Sequence, residues 1–219
     1  MSPLVAQDFP LHISDRAVGL LCVAILIALV VRTILVYRST QRFPIRIKRS
    51  DRLDDFIHYI LIGVFASFFV NLVLMRLPSW LSATPGTSLA RLYEAAGPFT
   101  ALESPFVRLA GLVIAGIGLA VGALAQHQMG SNWRVGIDRG SQTEFVQHGL
   151  FAVARHPIYL AFIGIGAGMF LAMPSALTCA GLAVLVTALG IQARLEEAHM
   201  GERHGEVYRD YLKKTPRWL

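Results

Sequence analysis

Cysteine is scarce in this sequence: Cys22 and Cys179 are the only two among 219 residues. Both lie in apolar runs without metal-ligand spacing, so no disulfide framework is expected and both read as buried thiols. Lysine is nearly absent, with 3 residues against 17 arginines, and acidic residues number only 14. The apolar runs contain no Asp, Glu or Lys at all. Pumps and ion-coupled transporters usually hold such groups at mid-membrane, so this absence weakens a transporter or channel reading. A basic start and a small-residue cleavage site are also missing, and the first apolar run is too long for a signal core. A secretory signal peptide is therefore not expected. There is no internal repeat and no low-complexity tract.

What the sequence does hold is apolar length. Hydrophobic residues make up 54% of the chain and mean hydropathy is +0.54, above the roughly 45–50% apolar content of a soluble domain. Five runs approach the roughly 20 residues that a membrane-spanning helix needs: 17–37, 56–77, 107–125, 158–173 and 174–192. The fourth is short, and Pro174 is expected to open the fifth because proline is tolerated in a first helical turn. Between the second and third runs, 78–105 reads as a loop with a short helix at 88–96. The fold class is an all-α integral membrane protein of five transmembrane helices ending in a cytoplasmic helix. Residues 1–105 form a two-span region and 106–219 a three-span core.

Basic residues set the orientation. Arg38, Arg42, Arg46, Lys48, Arg49 and Arg52 follow the first run. Arg134, Arg139 and Arg155 separate the third and fourth, and Arg194, Arg203, Arg209, Lys213, Lys214 and Arg217 follow the fifth. The alternate side holds Arg16 and Arg91, with Arg76 and Arg108 at span ends. Cytoplasmic loops carry the excess of Lys and Arg, which places the N-terminus outside and the C-terminus inside. The formal charge of +6 is accounted for by this topology and by anionic lipid head groups. With no aromatic-basic module, nucleic acid is not an expected partner.

Two polar clusters interrupt the apolar background, both on the cytoplasmic side. In the first, Arg155-His156-Pro157 opens the fourth run. Pro157 suits a first helical turn, so Arg155 and His156 sit where free N–H groups and the positive end of the helix dipole favour an anion. The plain alternative is an interfacial anchor. The second cluster runs from Arg194-Leu195-Glu196-Glu197 through His199 to Tyr208 and Tyr211. On a helix, Glu197, His204, Tyr208 and Tyr211 fall on one face unless Gly205 interrupts it; the plain alternative is a charged amphipathic helix on the membrane. Glu196 and His199 have Glu-x-x-His spacing, but a di-iron site needs two such pairs, so no metal is expected. The run Gly164-Ile-Gly-Ala-Gly168 imitates a dinucleotide loop but follows no strand, which rules that reading out. With Gly118 and Gly122, its glycines favour close helix packing over a ligand groove. Asn71, polar in the second run, suits a bond to a neighbouring helix.

Together the stretches GSNWRVG…TEFVQHGLFAVARHPIYL and RLEEAHMGERHGEVYRDYLKKTPRWL resemble the isoprenylcysteine carboxyl methyltransferase family, a relative of the phospholipid methyltransferases, over roughly residues 130–218. The resemblance implies an S-adenosylmethionine-dependent methyltransferase in the cell membrane. Its site faces the cytoplasm and acts on a lipophilic, isoprenoid or lipid-like acceptor, by expectation a carboxylate. It implies that Thr143, Glu144, Phe145, Val146, Phe151, His156, Pro157, Ile158, Tyr159 and Glu196 contact the cofactor. Phe151 stands where the family often has Tyr, so that hydroxyl is missing. Arg155, Arg194 and Glu197 are the catalytic candidates, with Arg194 facing the acceptor. Methyl transfer from a sulfonium is an in-line displacement that relies on alignment and charge balance. A carboxylate acceptor needs no base, whereas an amine or thiol would call on His156 or Glu197. Two other readings compete: an NADPH-dependent sterol-type reductase, whose Arg-His-Pro-x-Tyr region is similar, and a non-catalytic scaffold or transporter.

Overall fold

The computed structural model describes residues 53–80, 97–130 and 145–219, together with Ala95 and scattered helical positions between residues 20 and 38. The first predicted span thus lies largely outside the described residues, as do Cys22 and most of the short helix expected at 88–96. The described residues form these helices: α1 (Leu53–Trp80), a 3-10 turn (Thr100–Leu102), α2 (Pro105–Met129), α3 (Leu150–Val153), α4 (Pro157–Ala172) and α5 (Ala176–Lys214). Among them there is no strand beyond one isolated bridge, Pro98 with Ser175.

Two of these helices, α2 and α5, are long and apolar enough to cross a membrane. The apolar part of α1 (Tyr59–Asn71) and α4 are shorter. The predicted spans 56–77, 107–125, 158–173 and 174–192 correspond to α1, α2, α4 and the first half of α5.

Pro174 does not open α5. Ser175 caps the helix instead: its Oγ accepts from Thr178 N at 3.2 Å, and Thr178 Oγ1 accepts from Ser175 N at 3.1 Å. This reciprocal capping box satisfies two otherwise orphaned donors, so Pro174 is left in the link. The Pro174 carbonyl accepts from Phe99 N at 2.9 Å, which ties in the segment before α2.

Packing between α2 and α4 depends on small residues. A Cβ on Gly111 would meet Gly168 O at 2.6 Å, and one on Gly168 would meet Ala115 N at 2.5 Å. The two backbones therefore touch, as small-residue contacts between membrane helices allow. Gly164 differs, since a Cβ there would meet only Gly118 Cα at 3.8 Å. On the other side, α1 and α5 enclose a core of Val64, Phe68, Ile165, Met169, Leu185 and Leu189. Asn71 is fully buried there and donates to Ser175 Oγ at 2.9 Å, the helix-to-helix bond expected from its sequence context.

The reading of Cys179 as a buried thiol is corrected, because it is exposed on α5. In a membrane helix an apolar position can face lipid as well as core, so apolar context alone does not imply burial.

Gly205 breaks α5 with φ 54° and ψ −121°, a left-handed φ that side-chain-bearing residues rarely adopt. Beyond this kink the helix turns so that Tyr208 and Tyr211 are buried, and Tyr211 Oη donates to the Phe151 carbonyl at 2.5 Å. The other side of the short helix α3 is held by Gln128, whose Oε1 accepts from Leu150 N at 2.8 Å. α3 is thereby held between the end of α2 and the end of α5.

Candidate active site

The site forms where the start of α4 meets α5, past the apolar part of α5 that ends near Gln192. Pro157 occupies the first turn of α4 and His156 is its N-cap residue, the arrangement expected for an Arg-His-Pro sequence. Glu197 lies 21 positions after Ala176, the start of α5, or roughly 32 Å along the helix axis at 1.5 Å per residue. That separation is about one hydrocarbon thickness from the Ser175 turn.

Glu197 is the hub. Its Oε1 lies 3.0 Å from Arg155 Nη1, 3.2 Å from His156 Nε2 and 2.9 Å from Arg217 Nε. Its Oε2 accepts from Arg217 Nη2 at 2.7 Å. Burial alone would raise its pKa, but the hydrogen bonds from His156 and Arg217 and the charges of Arg155 and Arg217 outweigh burial and hold it at about 2. A general base at neutral pH needs a pKa near the working pH, so a carboxylate held this low stays ionised and is poorly suited to the base role considered for an amine or thiol.

Glu196 is placed differently. Its Oε1 accepts from the Tyr159 hydroxyl and from Gln192 Nε2 at 3.3 Å. Its Oε2 has only a 3.7 Å approach from His156 Nδ1, and the side chain is 30% exposed against 10% for Glu197. Glu196 can therefore take further donors where Glu197 is saturated. Arg155 Nε and Gln192 Oε1 are buried without a partner among the described residues. Buried polar groups are normally hydrogen-bonded, to protein or to water, so this donor and this acceptor call for a water or a bound molecule.

An aromatic wall flanks the hub. The Phe145 ring stacks on His204 with centroids 5.5 Å apart, and it meets Tyr208 at 5.2 Å and Tyr211 at 4.9 Å edge-on. The His156 and Tyr159 rings stack at 5.3 Å. Burial raises the Tyr208 pKa, and Glu197 adds to the effect; burial pushes Tyr211 up to about 12. Both tyrosines stay neutral donors at ordinary pH. Burial, with Arg203 nearby, lowers the His204 pKa.

An apolar cavity of about 290 Å³ lies between α2 and α4, lined by residues that include Ile117, Val121, Val153, Pro157, Leu160 and Gly164. Pro157 and Ala154, which also line it, flank Arg155 and His156 in sequence.

Of the residues chosen from sequence, Arg155, His156, Tyr159, Glu196 and Glu197 come together. Phe145 joins the aromatic wall, Phe151 is buried with its carbonyl on Tyr211, Pro157 lines the cavity, and Val146 and Ile158 are half-buried nearby in sequence. Thr143 and Glu144 lie outside the described residues. Arg194 is exposed and bonds back to Gly190 O at 2.9 Å, so its recorded contact is with its own helix and not with the cluster. The sequence reading missed Gln192, Arg217 and Trp218, whose ring lies 5.9 Å from that of His156. Gln192 was accessible to helix arithmetic, since it lies four residues before Glu196 on the same face. Among the described residues no three of His, Cys, Asp and Glu gather as a metal site.

No curated protein matches the chain. Residues 109–202 do match the model of the Isoprenylcysteine carboxyl methyltransferase (ICMT) family, which bears out the resemblance drawn from the sequence and implies a methyltransferase.

Proposed function

We propose that the chain is a multi-pass membrane methyltransferase that uses S-adenosylmethionine and methylates a carboxylate on a lipophilic acceptor. The observation that carries this reading is the junction of Arg155, His156 and Tyr159 with Glu196 and Glu197, where Arg155 Nε and Gln192 Oε1 are buried without a partner among the described residues. The proposed topology has five spans, the N-terminus outside, and the site at the cytoplasmic face of the cell membrane. Residues 106–219 are the three-span core and 1–105 a two-span region.

The residues fit the cofactor. Glu196 Oε2 and Gln192 Oε1 suit hydroxyl or ammonium donors, and Tyr159, His156 and the Phe145 wall offer ring faces. When bound, the cofactor supplies an electrophilic methyl on a sulfonium. The protein aligns the acceptor and balances charge. Arg155 keeps Nε for an anionic acceptor while its Nη1 is held by Glu197. With a pKa of about 2, Glu197 is a poor base. This favours an acceptor that arrives already deprotonated, such as a carboxylate.

In detergent, S-adenosylhomocysteine is expected to raise the melting temperature; a ligand at 100 times its Kd stabilises by about 2.7 kcal/mol. Arg155→Ala is expected to weaken that binding while the bundle stays folded. A shift with NADPH and none with S-adenosylhomocysteine would instead select the sterol-type reductase. Silence from both would leave a scaffold or transporter.

A further inference from the structure

We propose that Arg217 is a positioning residue of this site, acting through Glu197 to fix Arg155 and His156. The role rests on the methyltransferase reading for its purpose, but its geometry stands independently. Arg217 supplies two of the four donors on Glu197, at 2.9 and 2.7 Å, in the fork geometry of a bidentate guanidinium–carboxylate pair. These are the two shortest bonds that Glu197 makes.

The segment that carries Arg217 is pinned on both sides. Thr215 Oγ1 donates to Ala152 O at 3.5 Å, Arg155 N donates to Pro216 O at 3.0 Å, and the Trp218 ring faces His156. Arg155 is thus gripped twice: its backbone by the residue before Arg217, and its side chain by the carboxylate that Arg217 orients. Charge balance gives a second reason. Glu196 and Glu197 are adjacent anions, and Arg155 and Arg217 are the two permanent cations at the hub. Removing Arg217 leaves two carboxylates to one arginine and frees the Glu197 carboxylate to rotate, so Arg155 and His156 lose a fixed acceptor.

The groups facing Glu197 are Arg155 and His156 from the link into α4, Glu196, Tyr208 and Tyr211 from α5, and Arg217 from the segment after it. Of these, Arg155, His156 and Arg217 favour its ionised form, so loss of Arg217 raises the pH at which it takes up a proton.

The test uses the full chain in detergent, with Arg217→Ala and Arg217→Lys beside the wild type. Melting temperature is recorded without ligand from pH 3 to 8, and S-adenosylhomocysteine affinity by calorimetry at pH 7. For Arg217→Ala the acid limb of the melting profile should move up by about one pH unit or more, and affinity should fall tenfold or more. Arg217→Lys, which restores charge without the fork, should recover part of both. A melting temperature lowered equally at every pH, with the acid limb where the wild type has it, would overturn the proposal. If the wild type binds no S-adenosylhomocysteine, the methyltransferase reading fails, and the ligand-free profiles still decide whether Arg217 governs Glu197.

Discussion

Replacing Glu197 by Gln tests the hub directly, because glutamine keeps the shape and removes the charge. In the folded protein the Glu197 pKa is held at about 2, against 4.5 for the free group. At roughly 1.4 kcal/mol per pKa unit, the depression corresponds to no more than about 3.5 kcal/mol of stabilisation. Solvent reaches the cluster through Glu196 and Arg217, each about 30% exposed, and screening brings the expected figure to about 2 kcal/mol. A depressed carboxylate pKa stabilises the fold above the unfolded value, and the gain is lost as pH falls through the folded value. The gap between wild type and Glu197→Gln should therefore be constant from pH 6 to 8. It should narrow below about pH 4 and fall to roughly half or less by pH 3. Thermal melting in detergent across this range reads it. A gap of the same size at pH 3 and pH 7, or none at pH 7, would refute the electrostatic account of the hub.

Two further substitutions probe the scaffold. Tyr211→Phe removes the donor to the Phe151 carbonyl and should cost about 1–2 kcal/mol, read as a lower melting temperature; an unchanged value would show that this clamp contributes nothing. Gly168→Ala places a methyl against the α2 backbone and should destabilise the bundle strongly, whereas Gly164→Ala meets only ordinary contact and should be tolerated. Equal melting temperatures for the two variants would contradict the packing described for α2 and α4.

Much of this arrangement was legible in the sequence because it follows from local rules. Pro157 lacks an N–H that the first helical turn does not need, so Arg-His-Pro marks a helix start with His156 at its cap. Gly205 was a visible candidate for interrupting α5, and its left-handed φ does so. Asn71 had to find a polar partner inside an apolar environment, and Ser175 supplies it. Cys179 was misread because hydrophobicity in a membrane protein does not distinguish lipid-facing from core-facing positions. Arg194 was chosen from the family resemblance, yet it lies two residues from Glu196, and residues two apart on a helix point in nearly opposite directions.

Arg217 was illegible for a different reason. Twenty residues separate it from Glu197, and a regular helix would carry position 217 roughly 30 Å farther along the axis. Only the reversal begun at Gly205, and completed where Tyr211 docks on Phe151 and Thr215 on Ala152, returns the chain to its starting point. Each of those contacts is individually unremarkable, and none carries a sequence signature that fixes direction. The two acidic residues nevertheless imply such a return. Adjacent carboxylates packed against a single arginine would leave an uncompensated charge in a partly buried corner, which costs far more than a turn. Arg217 supplies the second cation, and the kink decides that it, among the basic residues after Glu197, reaches the hub.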